Sequence, residues 1–404
     1  MYQGDLDDTL YHYACARNFL SSMRLSSLRL HHFRNYGDLT MNLSHDLTVI
    51  YGRNAQGKTN LLEGLYYAAM GFSFRSRHDE ELVKFGETDC AAEVTYCDRY
   101  GENRLLVKRI QEGKRTRKQA QRNGTPISPK EHYGSLNLVL FTPDDLQLVK
   151  GDPSLRRRFL DMEIAQTSRF YYEALQNYNR VLQQRNRFLR HCRDQEKLDE
   201  GQLFVWDEAL SRSAAVIVFE RLKAMEEIER AAGLVYGTIT QDREKMTLSY
   251  LQKRSDGEGV PPKGLSLSEW QAFYQEELKK RHRLDYVRGY TSMGPHRDDL
   301  EILQEGRPLR SFGSQGQQRT AALALKLSEL EFIFHSKEEY PILLLDDVLS
   351  ELDEGRRRML LDGMGGKVQT LLTVNDRALA RSSGDVVFYE VRSGWVEEDA
   401  HEGH

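Results

Sequence analysis

The chain has 404 residues, of which 39% are hydrophobic and 29% charged, and its formal net charge is −4. Such a composition is typical of a soluble folded protein with about two to three domains. No apolar run approaches the roughly 18 residues that cross a bilayer, so we expect neither an integral membrane protein nor a membrane partner. Any nucleic-acid partner must bind a local basic surface, because the overall charge does not attract one.

The first 22 residues fit no regular element, and they lack the basic start and apolar stretch of a secretory signal. Two interpretations stay open: residues 1–22 are a poorly ordered extension, or Met23 is the true start. The four cysteines include no CxxC pair, so cysteine usage predicts neither a disulfide framework nor a zinc site. We therefore expect a cytoplasmic protein.

From Met23 onward the hydrophobic pattern becomes regular. Residues 47–51 form a short apolar strand that ends at Gly52, and residues 90–110 alternate apolar and polar side chains like antiparallel strands. The Asn123-Gly124 pair predicts a hairpin turn.

The middle of the chain has a different pattern. Residues 154–235 contain few helix breakers and predict long amphipathic helices with a short polar link near Gly201. Residues 256–262 are rich in Gly and Pro and predict an exposed loop. Strand–helix alternation resumes near Ser292, so the sequence predicts an α/β body whose two halves are separated by a helical insertion.

The segment after the first buried strand fits the phosphate-loop pattern GxxxxGK[ST] without a mismatch. Its glycines allow a tight turn that points backbone N–H groups at a β-phosphate, and the helix after it directs a positive dipole at the same anion. Lys58 would reach the β- and γ-phosphate oxygens, and Thr59 would offer its hydroxyl to Mg²⁺. The predicted nucleotide-binding residues are Gly52, Arg53, Asn54, Ala55, Gln56, Gly57, Lys58 and Thr59.

A second apolar run, at residues 342–345, ends in the carboxylates Asp346 and Asp347. A buried parallel strand that delivers acid at its carboxyl end fits a nucleotide site in an α/β sheet. Asp346 is the candidate ligand of Mg²⁺, and Asp347 is the candidate general base that polarises an attacking water. Taken alone, the run also fits a strand that ends in an acidic turn. Most of the chain separates Thr59 from Asp346, which is far more than a compact GTPase or a small kinase needs.

Two polar segments flank this second run. Ser314, Gly316 and Gln317 stand at the start of a predicted helix, where such a turn offers a second anion site that the phosphate loop does not itself require. Residues 350–353 read Ser-Glu-Leu-Asp just after the run. A polar helix cap for the first segment and a simple helix start for the second stay open.

In this order, the four motifs resemble the ATP-binding-cassette heads of the SMC-type DNA-repair ATPases. More closely, the chain resembles the RecF family of bacterial recombination mediators. The resemblance runs from Met23 to about residue 390, and the blocks that carry it are residues 29–36, 141–151, 294–299 and 312–319.

The resemblance implies an α/β fold: an ABC-type (P-loop) ATPase head built from both chain ends, with an antiparallel β lobe and an inserted helical arm. The expected domains are residues 23–160 and 291–404 for the head and residues 161–290 for the arm. The implied cofactors are ATP and Mg²⁺. The implied function is an ATP-dependent clamp on DNA in recombinational repair and replication, which aids recombinase loading and SOS induction.

The resemblance also implies how the motifs cooperate. Two heads would form an ATP-dependent homodimer with ATP between them, so that Lys58 and Thr59 of one copy face Ser314 and Gly316 of the other. Gln147 would couple the nucleotide to the DNA-side lobe, and Asp353 would help to set the dimer contact.

Two departures from the wider cassette pattern predict slow hydrolysis. Asp347 stands where a Glu is more usual, and its side chain is one methylene shorter. The segment at residues 371–376 has no histidine, so the residue that senses the γ-phosphate is left open.

The strongest basic segment lies at residues 99–122, where nine Lys or Arg face two Glu, a net charge of +7. It can neutralise several phosphates of DNA, although a solvated hairpin face is also possible. The tentative DNA contacts are Lys114, Arg115, Arg117 and Lys118. Further Arg residues (185, 187, 190 and 193) lie in the insertion, near Tyr171, Tyr172 and Tyr178, which we interpret as packing residues.

No base-reading motif stands out, so binding should depend on DNA structure and backbone rather than on sequence. The resemblance implies single-stranded DNA and gapped duplex as DNA partners. It also implies recombination mediator proteins of the RecR and RecO type.

Two other classes of function remain. A P-loop kinase or phosphotransferase would need only its own phosphate loop and would make no use of Ser314 or Gln317. A structural adaptor with a vestigial nucleotide site would bind DNA in the same way after Lys58→Met.

Overall fold

The computed structural model describes residues 22–112, 115–254, 256–362, 366–380 and 385–399. The predicted extension therefore lies outside the described residues, except for Ser22. The chain forms two compact units, which we call the split unit (up to residue 145 and from residue 333 onward) and the inserted unit (residues 146–332). This division has other limits and does not test the predicted domain limits at residues 160 and 290, which stay predictions.

The strands follow one another along the chain, and β9 to β12 belong to the inserted unit. Their bounds are β1 Arg24–His31, β2 Asp38–Asn42, β3 Leu47–Tyr51, β4 Cys90–Asp98, β5 Gly101–Glu112, β6 Arg115–Arg122, β7 Thr125–Ile127, β8 Leu138–Phe141, β9 Met246–Arg254, β10 Gly257–Gly259, β11 Asp299–Gln304, β12 Arg307–Pro308, β13 Ile342–Asp346, β14 Thr370–Val374, β15 Val386–Arg392 and β16 Trp395–Glu398.

The helices are concentrated in the inserted unit. Their bounds are α1 Lys58–Met70, α2 Pro129–His132, α3 Pro153–Thr167, α4 Arg169–Asp194, α5 Glu200–Thr240, α6 Leu267–Lys280, α7 His282–Arg288, α8 Leu309–Phe312, α9 Gln315–Lys337 and α10 Glu354–Asp362. Short 3₁₀ turns lie at Asp79–Leu82, Pro143–Gln147, Val348–Glu351 and Arg377–Ala380. Among the described helices, none is both long enough and apolar enough to cross a membrane.

The central sheet of the split unit draws strands from both ends of the chain, in the order β16-β15-β3-β14-β13-β8. Five of its strands are parallel, and the edge strand β16 runs antiparallel to β15. The side chains of β13 and β14 are buried throughout, as continuous apolar runs in a parallel sheet covered on both faces should be. The expected α/β fold built from both chain ends is confirmed.

The second sheet of the split unit is antiparallel and has the order β2-β1-β4-β5-β6-β7. Asn123 and Gly124 join β6 to β7 with φ of 52° and 80°, which confirms the predicted hairpin turn. Helix α1 packs against β4 and β5 of this sheet. The predicted antiparallel lobe is therefore present.

In the inserted unit, α5 packs against α4 and α6, and the small antiparallel sheet β10-β9-β11-β12 completes the core. The polar link between helices ends at Asp199, whose carboxylate accepts a hydrogen bond from the backbone N–H of Gln202 at 2.9 Å, so Gly201 lies within α5. Two strands of the inserted unit were not predicted. Strand β9 lies between the helices, and Gly257–Gly259 in the predicted loop pairs with it.

The packing interpretation is confirmed for Tyr171 and Tyr178, which are fully buried, whereas Tyr172 is half-buried. One of the insertion's basic residues differs from the expectation that it could bind DNA. Arg185 is not available to DNA: its guanidinium is buried and donates to Asp207 and Asp285, both at 2.8 Å. A cation with two buried carboxylate partners is a structural group.

Candidate functional site

The phosphate loop connects the end of β3 to the start of α1. Gly52 and Gly57 have φ of 150° and 116°, a region that favours glycine. A Cβ atom on Gly52 would lie 2.4 Å from the carbonyl oxygen of Val391 in β15, so the backbones meet too closely for any other residue. The loop therefore needs its first glycine for close packing as well as for the turn.

Two other segments of the chain hold the loop from outside. The Tyr36 hydroxyl donates to the carbonyl of Gly57 at 3.0 Å, and the Asn35 amide donates to the carbonyl of Gln56 at 3.2 Å. The backbone N–H of Ser393 donates to the side-chain oxygen of Gln56 at 2.6 Å. The block at residues 29–36, known from the sequence only as a resemblance, thus has a physical role in supporting the loop.

Lys58 curls back over the loop that precedes it. Its Nζ donates to the carbonyls of Gly52 (2.6 Å) and Arg53 (2.9 Å) and to Oδ1 of Asn375 (3.0 Å). Burial lowers the pKa of Lys58, and the charges of Asp347 and Asp346 act in the opposite direction. The ammonium group is thus held at the mouth of the loop, where phosphate oxygens can replace the carbonyls.

Thr59 and Asp346 meet as the sequence predicts. The Thr59 hydroxyl donates to Oδ1 of Asp346 at 2.9 Å, and Thr373 in β14 donates to the same oxygen at 2.8 Å. Burial raises the pKa of the Asp346 carboxyl, while the hydrogen bonds from Thr373 and Thr59 lower it. A hydroxyl beside a carboxylate is a set of hard oxygen donors of the kind that Mg²⁺ prefers.

Asp347 follows β13 in a left-handed conformation with φ of 53°, and its backbone N–H donates to the Thr373 hydroxyl at 2.9 Å. The Asn375 amide donates to the two Asp347 carboxylate oxygens at 3.3 and 3.4 Å. Asn375 therefore bridges Lys58 and Asp347. The residue that senses the γ-phosphate stayed open in the sequence, although the place of Asn375 just after an apolar run, at the carboxyl end of the strand beside β3, was a signal for a residue of the site.

The predicted signature residues lie at the N-terminus of α9 in the inserted unit. The backbone N–H of Ser314 donates to the Gln317 side chain at 2.8 Å, and the backbone N–H of Gln317 donates to the Ser314 hydroxyl at 3.2 Å. This reciprocal pair is a capping box. Gln317 also donates to Glu244 at 2.8 Å, and Ser314 and Gly316 are exposed.

Asp353, in the split unit, caps α10. Its Oδ1 accepts from the backbone N–H of Arg356 at 3.0 Å, and this bond holds the pKa of the Asp353 carboxyl below its ordinary value. Gln147 is exposed in the inserted unit, at the end of a 3₁₀ turn, and its carbonyl accepts from Gly151 at 2.6 Å. The phosphate loop, Asp346 and Asp347 form one cluster, to which Asp353 is not hydrogen-bonded.

The tentative DNA contacts have different environments. Lys114 and the side chain of Arg115 lie outside the described residues. Arg117 is exposed on β6. Lys118, on the opposite face of the strand, donates to Asp79 at 3.0 Å and lies 5.0 Å from the centre of the Tyr67 ring.

Comparison with known proteins identifies the family. The sequence model of the RecF/RecN/SMC N terminal domain matches residues 24–383. A relative from Symbiobacterium thermophilum, a DNA replication and repair protein RecF, is 41% identical over 379 residues, which is 93% of this chain and 98% of that protein. The chain belongs to the RecF family.

Solved structures agree with this family. The structure of the recombination mediator protein RecF-ATP in RecFOR pathway has a TM-score of 0.85 at 32% identity, and covers 95% of this chain and 99% of that one. The Smc head domain of Pyrococcus furiosus has a TM-score of 0.52 at 15% identity over 93% of this chain and 96% of that one, which shows the fold alone. The expected head fold of the RecF and SMC ATPases is therefore confirmed.

Proposed function

We propose that this RecF-family chain is an ATP-dependent DNA-binding switch of recombinational repair and replication, acting in the cytoplasm. The observation that carries the proposal is the hydrogen bond of 2.9 Å between Thr59 and Asp346, two residues 287 positions apart. It joins the phosphate loop to the acidic strand end, an arrangement that a glycine-rich turn without a ligand does not need. The 32% identical RecF-ATP structure supports ATP as the nucleotide.

In the proposed site the backbone of residues 52–57 surrounds the phosphates, and Lys58 exchanges its carbonyl partners for phosphate oxygens. Thr59 and Asp346 hold Mg²⁺, which neutralises charge on the phosphates when it is bound. Asp347 acts as the general base, with Asn375 orienting its carboxylate. The short Asp347 side chain favours slow hydrolysis, as a switch requires.

We propose that ATP closes a homodimer. In this arrangement Ser314, Gly316 and Gln317 of one copy face the γ-phosphate held by Lys58 of the second copy, and Asp353 lies at the dimer contact. The exposure of Ser314 and Gly316 supports this role, as does their position at the start of a 23-residue helix whose positive dipole end favours an anion. Gln147 would couple the nucleotide to the DNA-binding surface.

The proposed DNA partners are single-stranded DNA and the single-strand/double-strand junctions of gapped duplex. Proteins of the RecR and RecO type are the proposed protein partners, and the outcome is recombinase loading and SOS induction. The exposed Arg117 on β6 supports a contact with the phosphate backbone. A switch of this kind works only if ATP binds the closed dimer more tightly than the monomer.

Sedimentation of the purified chain with ADP, with ATP, and with ATP plus gapped DNA tests the proposal. We expect a monomer with ADP, a dimer with ATP, and a dimer that carries DNA in the third condition. A monomer under all three conditions would refute the composite site and favour a single-chain kinase or phosphotransferase.

Two variants separate the alternatives. Ser314→Arg should abolish ATP-dependent dimerisation while leaving ATP binding to the monomer intact, whereas a single-chain enzyme would keep its turnover. Lys58→Met should weaken ATP binding and remove the ATP dependence of DNA binding. DNA binding by Lys58→Met that matches the unchanged protein at every ATP concentration would instead indicate a structural adaptor.

A further inference from the structure

A second cluster of possible ligands lies at the end of β1, outside the nucleotide site. His31 is the last residue of β1, and His32 begins the turn that leads into β2. Consecutive residues of a strand point to opposite faces, but His32 has φ of 46°. The two imidazole rings consequently lie on the same side and stack with their centroids 3.8 Å apart.

A carboxylate completes the cluster. Asp89, immediately before β4, places its two oxygens 4.0 Å from Nε2 of His31 and 4.0 Å from Nδ1 of His32. One ligand atom from each of the three residues lies within 4.8 Å of the others. In the part of the chain that the structure describes, this is the one group of three His, Cys, Asp or Glu residues with such spacing.

The hydrogen bonds of the two histidines leave one ring nitrogen of each available to bind a metal ion. Nδ1 of His31 lies 2.6 Å from Oδ1 of Asp38 and must donate to it, because a carboxylate only accepts; the lone pair of Nε2 is then directed elsewhere. A carboxylate behind the imidazole is the usual support of a metal-binding histidine. Nδ1 of His32 is buried and has no hydrogen-bond partner among the described residues, and a Glu87 oxygen lies 3.6 Å away.

We propose that His31, His32 and Asp89 bind a divalent transition-metal ion, with Zn²⁺ as the best fit. Two imidazoles and one carboxylate form a ligand set that zinc accepts, with a fourth position open to water. Ligand atoms around tetrahedral zinc are about 3.3 Å apart, so the three donors need to approach one another by about an ångström. The cysteine count gave no sign of this site because no cysteine takes part.

Two of the three proposed ligands, His31 and Asp89, are reached from an open cleft, and the site has a structural consequence. His31, Asp38 and Asp89 line an open cleft on the sheet, which provides an entry path for the ion. The turn that starts at His32 continues to Asn35 and Tyr36, which hold the phosphate loop. The bound ion would fix the beginning of this turn and thereby stabilise the support of the loop.

Equilibrium dialysis of the full chain against Zn²⁺, followed by metal analysis, tests the proposal. We expect one Zn²⁺ per chain, loss of this ion in His32→Gln and in Asp89→Asn, and affinity about 10–100-fold weaker in Asp38→Asn. The control is His45→Gln. His45 makes the same 2.6 Å contact with a carboxylate, Asp385, and is not part of the cluster, so the variant should retain the ion.

Visible absorption after loading with Co²⁺ gives a second readout, because coordination by the cluster gives an absorption band that His32→Gln should lack. Circular dichroism checks that each variant is folded. If His32→Gln is not folded, Asp89→Asn replaces it as the ligand variant in both measurements. Failure of the unchanged protein to bind Zn²⁺, or equal binding by both ligand variants, would overturn the proposal. The first result would leave His32 as a neighbour of Glu87 without a metal, and the second would indicate adventitious binding elsewhere.

Discussion

Asn375 hydrogen-bonds two groups on which nucleotide chemistry would depend, the Lys58 ammonium and the Asp347 carboxylate. Its side-chain oxygen faces the cation and its amide nitrogen faces the anion, so one side chain sets the distance between the two charges. Residues 371–376 contain no cassette-type histidine that could sense a γ-phosphate. Asn375 lies in this segment and contacts both Lys58 and Asp347, so it is the candidate for that role.

We predict that Asn375→Ala lowers the ATP turnover number about fivefold while changing KM less. The variant loses the hydrogen bond that orients Asp347, the proposed general base, and one such bond contributes about 1 kcal/mol, a factor of about five in rate. Steady-state ATPase assays measure both constants. Asn179→Ala, at an exposed position on α4, is the control and should match the unchanged protein. A purely structural Asn375 would alter thermal stability and leave the turnover number as it was.

At the scale of elements, a buried polar network ties β9, α5 and the residue just before β11 together in the inserted unit. Asp298 is fully buried and accepts from the Tyr250 hydroxyl at 2.8 Å, and Arg221 donates to that hydroxyl at 3.1 Å. Burial raises the pKa of Asp298 to about 7. Burial lowers the pKa of the neighbouring His296 to about 3, so this imidazole stays neutral and accepts from Tyr178.

These two groups give opposite pH dependences. Between about pH 4 and 7 the folded state keeps a proton on Asp298 that the unfolded state has lost, so rising pH weakens folding. Between about pH 3 and 6.5 the unfolded state holds a proton on His296 that the folded state lacks, so rising pH strengthens folding. The two effects largely cancel where the windows overlap.

We predict that Asp298→Asn removes this cancellation. Relative to the unchanged protein, its unfolding free energy should rise with pH by about 1.4 kcal/mol per pH unit between about pH 4 and 7. Urea unfolding at several pH values measures the difference. The exposed Asp194→Asn is the control and should leave the pH slope unchanged, and parallel curves for Asp298→Asn would contradict the assignment.

Local patterns predicted some of these elements and not others. The strand before Gly52 and the Asn123-Gly124 turn were predictable because each depends on neighbouring residues. Strand β9 was not predicted, because its pairing with β11 joins residues some fifty positions apart, beyond the reach of a local pattern. The burial of Arg185 could not be predicted either, because its partners Asp207 and Asp285 lie on other helices, 22 and 100 positions away in the sequence.

At the scale of the whole molecule, charge limits how DNA can be bound. The net charge is −4, so contact with phosphates depends on local groups of cations whose charge no neighbouring carboxylate neutralises. Of the predicted contacts with described side chains, Arg117 and Lys118 are both exposed, but Lys118 is paired with Asp79. The sequence alone did not distinguish Arg117 from Lys118, because Asp79, the partner of Lys118, lies 39 positions away and no local pattern shows this pairing.

We predict that Arg117→Gln weakens DNA binding and lowers the slope of log affinity against log salt concentration by about 0.9 for duplex or 0.7 for single strands. Lys118→Gln is the matched control, one position away, and should change the slope less because Asp79 already neutralises its charge. Fluorescence anisotropy with gapped DNA over a salt series measures both. Equal slopes for Arg117→Gln and the unchanged protein would exclude Arg117 as a phosphate contact.

The packing of Gly52 against Val391 has a consequence for how the protein is made. Synthesis releases the phosphate-loop segment early, but the strands on either side of β3, which are β14 and β15, emerge more than three hundred residues later. Folding proceeds from the N-terminal end as the chain grows. The backbone of Val391, against which Gly52 packs, is absent until residue 391 has left the ribosome. We therefore expect the growing chain to bind nucleotide only after both parts of the split unit have been made.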